Sequence, residues 1–234
     1  MSESNAAAGS GLLLAVDTTG ERCSACVYDA RSSRVLALAE PEIGKGHAER
    51  LMGVVDDVLA TAGISYDDLE RLAVAVGPGS FTGIRVGVSA VRGLALALGR
   101  PAVGVDVLEA LAHPHLNAGS AVLAIQDARR GELYAALYAA NGSVLRAPAV
   151  LALDALPAFA TGGQAQSLGL AGSGAAIASA QLAHARIVSS RAEPPIEAVA
   201  AIGARRVPGA PVRPLYLRQA DAKPSSTPSL VRAT

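Results

Sequence analysis

The sequence predicts an α/β protein in which a βββαβα unit occurs twice, the second time in reduced form. One observation is a repeat. Apolar runs of strand length end in aspartate at 12–17 and 122–127, and each is followed by a Gly-Glu turn, a second strand and a third strand that begins Val-Leu. Gly20-Glu21 matches Gly131-Glu132, and Val35-Leu36 matches Val144-Leu145. A spacing of about 110 residues fits a duplicated subdomain rather than a solenoid. The other observation is two long stretches of the first half, 47–62 and 84–98, whose apolar residues recur at helical spacing.

In order, the first half reads as strands over 12–18, 23–28 and 35–39 and a helix over 47–62 carrying Leu51, Val54, Val55, Val58 and Leu59 on one face. A strand at 72–76, a glycine turn, the helix 84–98, a short strand at 103–105 and a short helix at 107–112 follow. The second half opens with strands at 122–127 and 133–139, an Asn141-Gly142 hairpin signal and a strand from Val144. It then thins to short helices near 154–159 and 176–183 and a last helix at 196–205. The expected domains are 12–113 and 114–222, with mobile tails at 1–11 and 223–234, which are small, polar or proline-rich.

Composition narrows the function. Hydrophobic residues make up 51% of the chain but aromatics only 3%, so Ala, Val and Leu must fill the core. Formal net charge is zero, so binding of a polyanion by this chain alone is expected to be weak. The apolar run at 12–16 stops at Asp17, too short for a signal peptide, and no uncharged run is long enough to span a membrane. The expected location is cytoplasmic. Cys23 and Cys26 lie three apart in a strand, where side chains face opposite ways, so they read as small core residues and not as a redox pair.

The glycine turn is Gly77-Pro78-Gly79-Ser80-Phe81-Thr82-Gly83-Ile84-Arg85. Strand, glycine turn and helix together aim backbone N–H groups and a helix dipole at an anion. The lysine of a Walker loop is missing, because Ile84 and Arg85 follow the last glycine. Gly77, Gly79, Ser80 and Thr82, with Asp17, Thr18 and Thr19 of the first turn, are candidate nucleotide- or anion-binding residues.

The repeated βββαβα unit with its strand-terminal aspartates resembles the actin–Hsp70–sugar-kinase superfamily. Within it, Ala15-Val16-Asp17-Thr18, the stretch 77–85, Asp127-Ala128-Arg129-Arg130-Gly131-Glu132 and Pro214-Leu215-Tyr216-Leu217-Arg218 resemble the TsaB (YeaZ) family. The resemblance implies an actin-like ATPase fold and a partner subunit for the catalytic paralogue TsaD and the ATPase TsaE, which make N6-threonylcarbamoyladenosine in tRNA reading ANN codons. It implies contact with tRNA only through that complex, a homodimer when alone, and ATP, ADP and a metal ion in the assembly and not on this chain.

The paralogue carries two metal-binding histidines four apart, and here His47 is followed four residues later by Leu51. No catalytic or metal-binding residue is therefore assigned, and an enzyme is not expected. The rivals are a glycoprotease-like metallopeptidase and a small-molecule kinase of the same superfamily, and each needs groups this sequence does not display. The 84–98 helix is apolar almost all round, which predicts burial on more than one side. His47, Leu51, Val54, Val55 and Val58 of the first helix are accordingly expected in an intersubunit face, with Gly83, Gly87, Val88, Ala90, Val91 and Leu94 of the second.

Overall fold

In the computed structural model, residues 11–116, 119–161 and 168–218 are described. The expected tails lie outside them, Gly11 excepted. The first half contains β1 (Leu12–Asp17), β2 (Ser24–Asp29), β3 (Arg34–Ala39), α1 (His47–Ala62), β4 (Arg71–Gly77), α2 (Phe81–Leu98), β5 (Ala102–Asp106) and α3 (Val107–Ala112). The second contains β6 (Ala121–Arg129), β7 (Glu132–Tyr138), β8 (Val144–Ala152), α4 (Leu156–Ala160), β9 (Leu168–Ala171), α5 (Ala175–Ser179), β10 (Ala185–Ser189) and α6 (Ile196–Arg205).

The strands form two five-stranded sheets, ordered β3-β2-β1-β4-β5 and β10-β9-β6-β7-β8. In each, the opening strand pairs antiparallel with the next strand and parallel with the fourth. The duplication therefore holds strand for strand, and the fold is the expected α/β actin-like one. The second half is reduced only in its helices. Its sheet is complete, because β9 and β10 supply the strands that the sequence had left unread.

Alternation along β1 sorts the core into layers. Leu14 and Val16 face α1 and α2, with Leu51, Val55, Val88 and Val91. Leu13 and Ala15 face α3 and α6. The second sheet turns Val122, Ala124 and Tyr138 to that same middle layer and packs Leu123, Ile125 and Leu137 under α4 and α5. Each half has sent its last helix across. α3 lies against β6 and β7, and α6 lies against β1, β2 and β4. A boundary at 113 thus parts α6 from the sheet it covers.

Cys23 and Cys26 are buried free thiols in opposite layers, as strand geometry requires. Burial pushes them up to about 11 and about 12, so both stay protonated and unreactive. α2 has the length and apolarity of a membrane-crossing helix. It nevertheless carries Arg85 and Arg92, and its Ile84, Gly87, Val88 and Val91 are buried in the layer it shares with β4.

Candidate functional site

The glycine turn begins where β4 ends, at a cis Gly77–Pro78 bond. Ser80 caps α2, its hydroxyl accepting from the Gly83 N–H at 3.2 Å. This matches the expected strand–turn–helix geometry, but the space the glycines create is filled by the chain itself. A Cβ on Gly79 would stand 2.5 Å from the Thr19 carbonyl oxygen, and one on Gly83 would collide with the Thr18 carbonyl. A Cβ on Gly87 would meet the Thr18 hydroxyl at 2.5 Å, and one on Gly77 the Leu215 carbonyl at 2.7 Å. The Ser80 N–H donates to the Thr19 carbonyl at 2.7 Å, and the Thr18 hydroxyl donates to the Gly83 carbonyl at 2.7 Å.

Asp17, Thr18 and Thr19 are buried in this packing, whereas Ser80 and Thr82 are exposed. The residues of the first turn and of the glycine turn do lie against one another. The structure makes their contact a seam between the β1–β2 turn and the α2 entrance, in place of an open anion site. The second half repeats the device, where a Cβ on Gly172 would collide with the Ile125 carbonyl.

The Asp17 Oδ1 accepts from the Thr19 N–H at 2.8 Å. Desolvation pushes its carboxyl up to about 6 from 3.8; the Thr19 hydrogen bonds oppose the shift, and the Glu193 and Glu40 charges add to it. The folded state therefore holds this proton more tightly than the unfolded chain does. The resulting stability is complete below 3.8 and is lost as pH rises through about 6. Asp17→Asn keeps the Oδ1 acceptor and removes the charge. At neutral pH it is expected to raise stability by up to about 2–3 kcal/mol and to remove the loss of stability that this carboxyl causes in wild type as pH rises from 3.8 through about 6. Urea titrations across that range check this, and an unchanged profile refutes it.

The intersubunit face needs correction. Leu51, Val54, Val55, Val58, Val88 and Val91 are each at most 5% exposed, and Gly83 and Gly87 are buried with them against the first sheet. One layer of helices over a sheet with so few aromatics needs these side chains for its own core. His47 is buried too, its Nε2 3.1 Å from the Arg22 carbonyl. Of the named positions only Ala90 and Leu94 are half-exposed. Outward, α1 presents Met52 and Gly53, and α2 presents Ser89, Gly93, Leu96 and Ala97. A Cβ on Gly53 or Gly93 would meet nothing within 4 Å. Among the described residues no group of three or more His, Cys, Asp or Glu is placed to hold a metal ion.

Residues 212–218 form a strap that sequence reading left without a role. Val212 enters the α1–α2 layer, and the Leu215 N–H donates to the Val76 carbonyl at 2.8 Å. The Tyr216 ring sits 5.1 Å from Phe81, and its hydroxyl accepts from Arg85 Nε at 2.9 Å. Arg85 also lies 3.8 Å over the Phe81 ring. Arg218 pairs with Glu132, so the strap ties the α2 entrance to the second half.

A family model described as "TsaD: tRNA N6-adenosine threonylcarbamoyltransferase" matches residues 40–193. An uncharacterised Mycobacterium bovis protein is 36% identical over 215 residues, 91% of this chain and 94% of its own. The Escherichia coli "tRNA threonylcarbamoyladenosine biosynthesis protein TsaB" is 40% identical over 129 residues, so the match spans about half, 54%, of either chain. A crystal structure described as an uncharacterised protein with similarity to peptidase YeaZ from Pseudomonas aeruginosa superposes with a TM-score of 0.70. That structure is 29% identical and covers 89% of this chain and 100% of its own. Taken with the duplicated sheets and the glycine seam, these matches show that the chain belongs to the TsaB/YeaZ family.

Proposed function

We propose that this chain is a non-catalytic partner subunit in the biosynthesis of threonylcarbamoyladenosine in tRNA, acting in the cytoplasm. In this reading it scaffolds a TsaD-type catalytic paralogue and a TsaE-type ATPase, and tRNA is met by the assembly. ATP, ADP and a metal ion belong to the assembled complex. The observation that carries the reading is the seam at the glycine turn: the loop that would cradle a phosphate is packed against its own Thr18 and Thr19. Family membership supplies the pathway, because the curated relatives are named for it.

The docking face in this reading is the outer side of α1 and α2, with Met52, Gly53, Ala90, Gly93 and Leu94. Small residues there let a partner's helices approach closely, and the same face serves a second copy when the chain is alone. Gly93→Arg is the cleanest test, since open space surrounds the position. It is expected to leave the thermal midpoint within a few degrees of wild type and to weaken association by about tenfold or more. Co-purification with a TsaD-type paralogue and light scattering of the chain alone read this out. Full association of Gly93→Arg and of Ala90→Arg moves the interface elsewhere. Phosphate release from ATP by the pure chain, abolished in Asp17→Ala, contradicts the non-catalytic reading.

A further inference from the structure

On the far side of the first sheet from α1 and α2, an open cleft of ≈ 430 Å³ lies where the two halves meet. Its walls come from α3 and the turn after it (Glu109, His113, Leu116), from the β7–β8 turn (Asn141) and from the end of α6 (Ile202, Arg205). The neighbouring Arg206 pairs with Glu109 and donates to the Gly104 carbonyl at 3.0 Å, so that guanidinium is already satisfied. Arg205 is not. It is exposed, and among the described residues no carboxylate pairs with it. Nor is it needed to close its helix. The Arg71 Nη1 lies 3.1, 2.8 and 2.8 Å from the Gly203, Ala204 and Arg206 carbonyl oxygens, so β4 supplies the donor for the end of α6.

The Asn141 Oδ1 accepts from the Ser143 N–H at 3.0 Å and from the Ser143 hydroxyl at 2.8 Å, which leaves the Asn141 amide NH2 as a donor. His113 is half-buried beside Arg205. Burial and that positive charge hold its imidazole below the ordinary value, while Glu109 pulls the other way. What the cleft lacks is an acceptor carrying negative charge. We propose that it binds a small monocarboxylate, with the carboxylate on Arg205 and Asn141 and a short apolar tail against Leu116 and Ile202. Charge sets the ligand class. Glu109 lines the cleft, and Asp106 caps α3 close to it, its carboxyl pushed up to about 6 by burial. A dianion such as phosphate would meet both of these carboxylates and would leave the apolar wall uncovered. A single carboxylate with a few carbons avoids both costs.

Such a ligand would touch both halves at once. Asn141 belongs to the second sheet's β7–β8 turn, while α6 packs on β1, β2 and β4 of the first. Occupancy would therefore brace the halves against each other, across the first sheet from the proposed docking face. Carboxylates of this kind occur as free acids and as the last residue of a peptide, and the open cleft admits either.

The test uses the full chain alone and does not depend on any partner, so its failure leaves the scaffold reading intact. Thermal unfolding is followed with isovalerate, N-acetylleucine, acetate or inorganic phosphate, each against chloride at matched ionic strength. Isovalerate or N-acetylleucine is expected to stabilise saturably and more than acetate, with phosphate least. Whichever of the first two is stronger tells a free acid from a peptide end. In parallel, the ring resonances of His113 are followed by NMR against pH. Bound carboxylate is expected to raise the pH at which His113 titrates, because an anion beside an imidazole favours its protonated form. Arg205→Ala is expected to keep its thermal midpoint without ligand within a few degrees of wild type, to weaken binding by about tenfold or more and to leave the His113 titration unmoved by the ligand. If Arg205→Ala does not fold, Arg205→Gln, which keeps the length and loses the charge, decides. The proposal is overturned if neither isovalerate nor N-acetylleucine stabilises saturably. A response unchanged in the folded Arg205 variant, or phosphate outranking both carboxylates, overturns it too.

Discussion

Val91→Glu is expected to prevent folding. Val91 is 0% exposed and packs in the layer between α2 and the first sheet. An unpaired carboxylate there costs several kcal/mol, a large share of the roughly 5–15 kcal/mol that holds a domain together. Circular dichroism should show no cooperative melt, and the soluble yield should collapse. Val88→Glu, at 3% exposed, should behave alike. Ala90, between them in sequence, is half-exposed, so Ala90→Glu should fold. The contrast among three neighbouring positions is the point of the experiment. A folded Val91→Glu that merely fails to associate would restore the intersubunit role these valines were first given.

Gly83→Ala and Gly93→Ala lie on the same helix and should change stability in opposite directions. In an open helix position, replacing glycine with alanine stabilises by roughly 0.5–1 kcal/mol. At Gly93 nothing stands within 4 Å of the new methyl, so the full gain is expected. At Gly83 the methyl, fixed rigidly to its Cα, meets the backbone carbonyl of Thr18, so neither can swing aside. A loss of at least about 2 kcal/mol is expected, because the β1–β2 turn and the α2 entrance must separate to make room. Urea titrations of the two variants side by side measure this. Equal changes would mean that the seam is looser than described.

The first sheet was legible because its strands are unbroken apolar runs or alternate cleanly, and α1 and α2 because their periodicity is long. β9 and β10 were not. Leu168–Ala171 is four residues with a glycine inside, and Ala185–Ser189 is a partly exposed edge strand carrying Arg186. β9 owes its pairing to β6 and β10 owes its own to β9, partners that no local pattern announces. The expected helix at 176–183 shrank to Ala175–Ser179 for a related reason, since alanine is compatible with a helix without demanding one.

At the site, the glycines announced a close approach but not what approaches. Phosphate and carbonyl oxygen ask for the same bare backbone. Glu193, whose carboxylate accepts from the Glu21 N–H, could not be found from sequence, because the two are 172 positions apart and a single glutamate before Pro194 carries no signal. The valines of α2 were misplaced because circumference alone does not reveal how many faces a sheet and a neighbouring helix already cover.

The exchange of α3 and α6 between the halves has a consequence for synthesis. Leu13, Ala15, Ala73 and Val103 share a layer with Ile196, Val199 and Ile202. As the chain leaves the ribosome, the first sheet can gather α1 and α2 at once, but its other face must wait for α6, which is made after both sheets are complete. Until then a broad apolar surface stands open on the nascent chain. Release of α6 is the step that closes it, so premature stops anywhere before residue 206 should give products that aggregate or are held by chaperones, even where every strand is present.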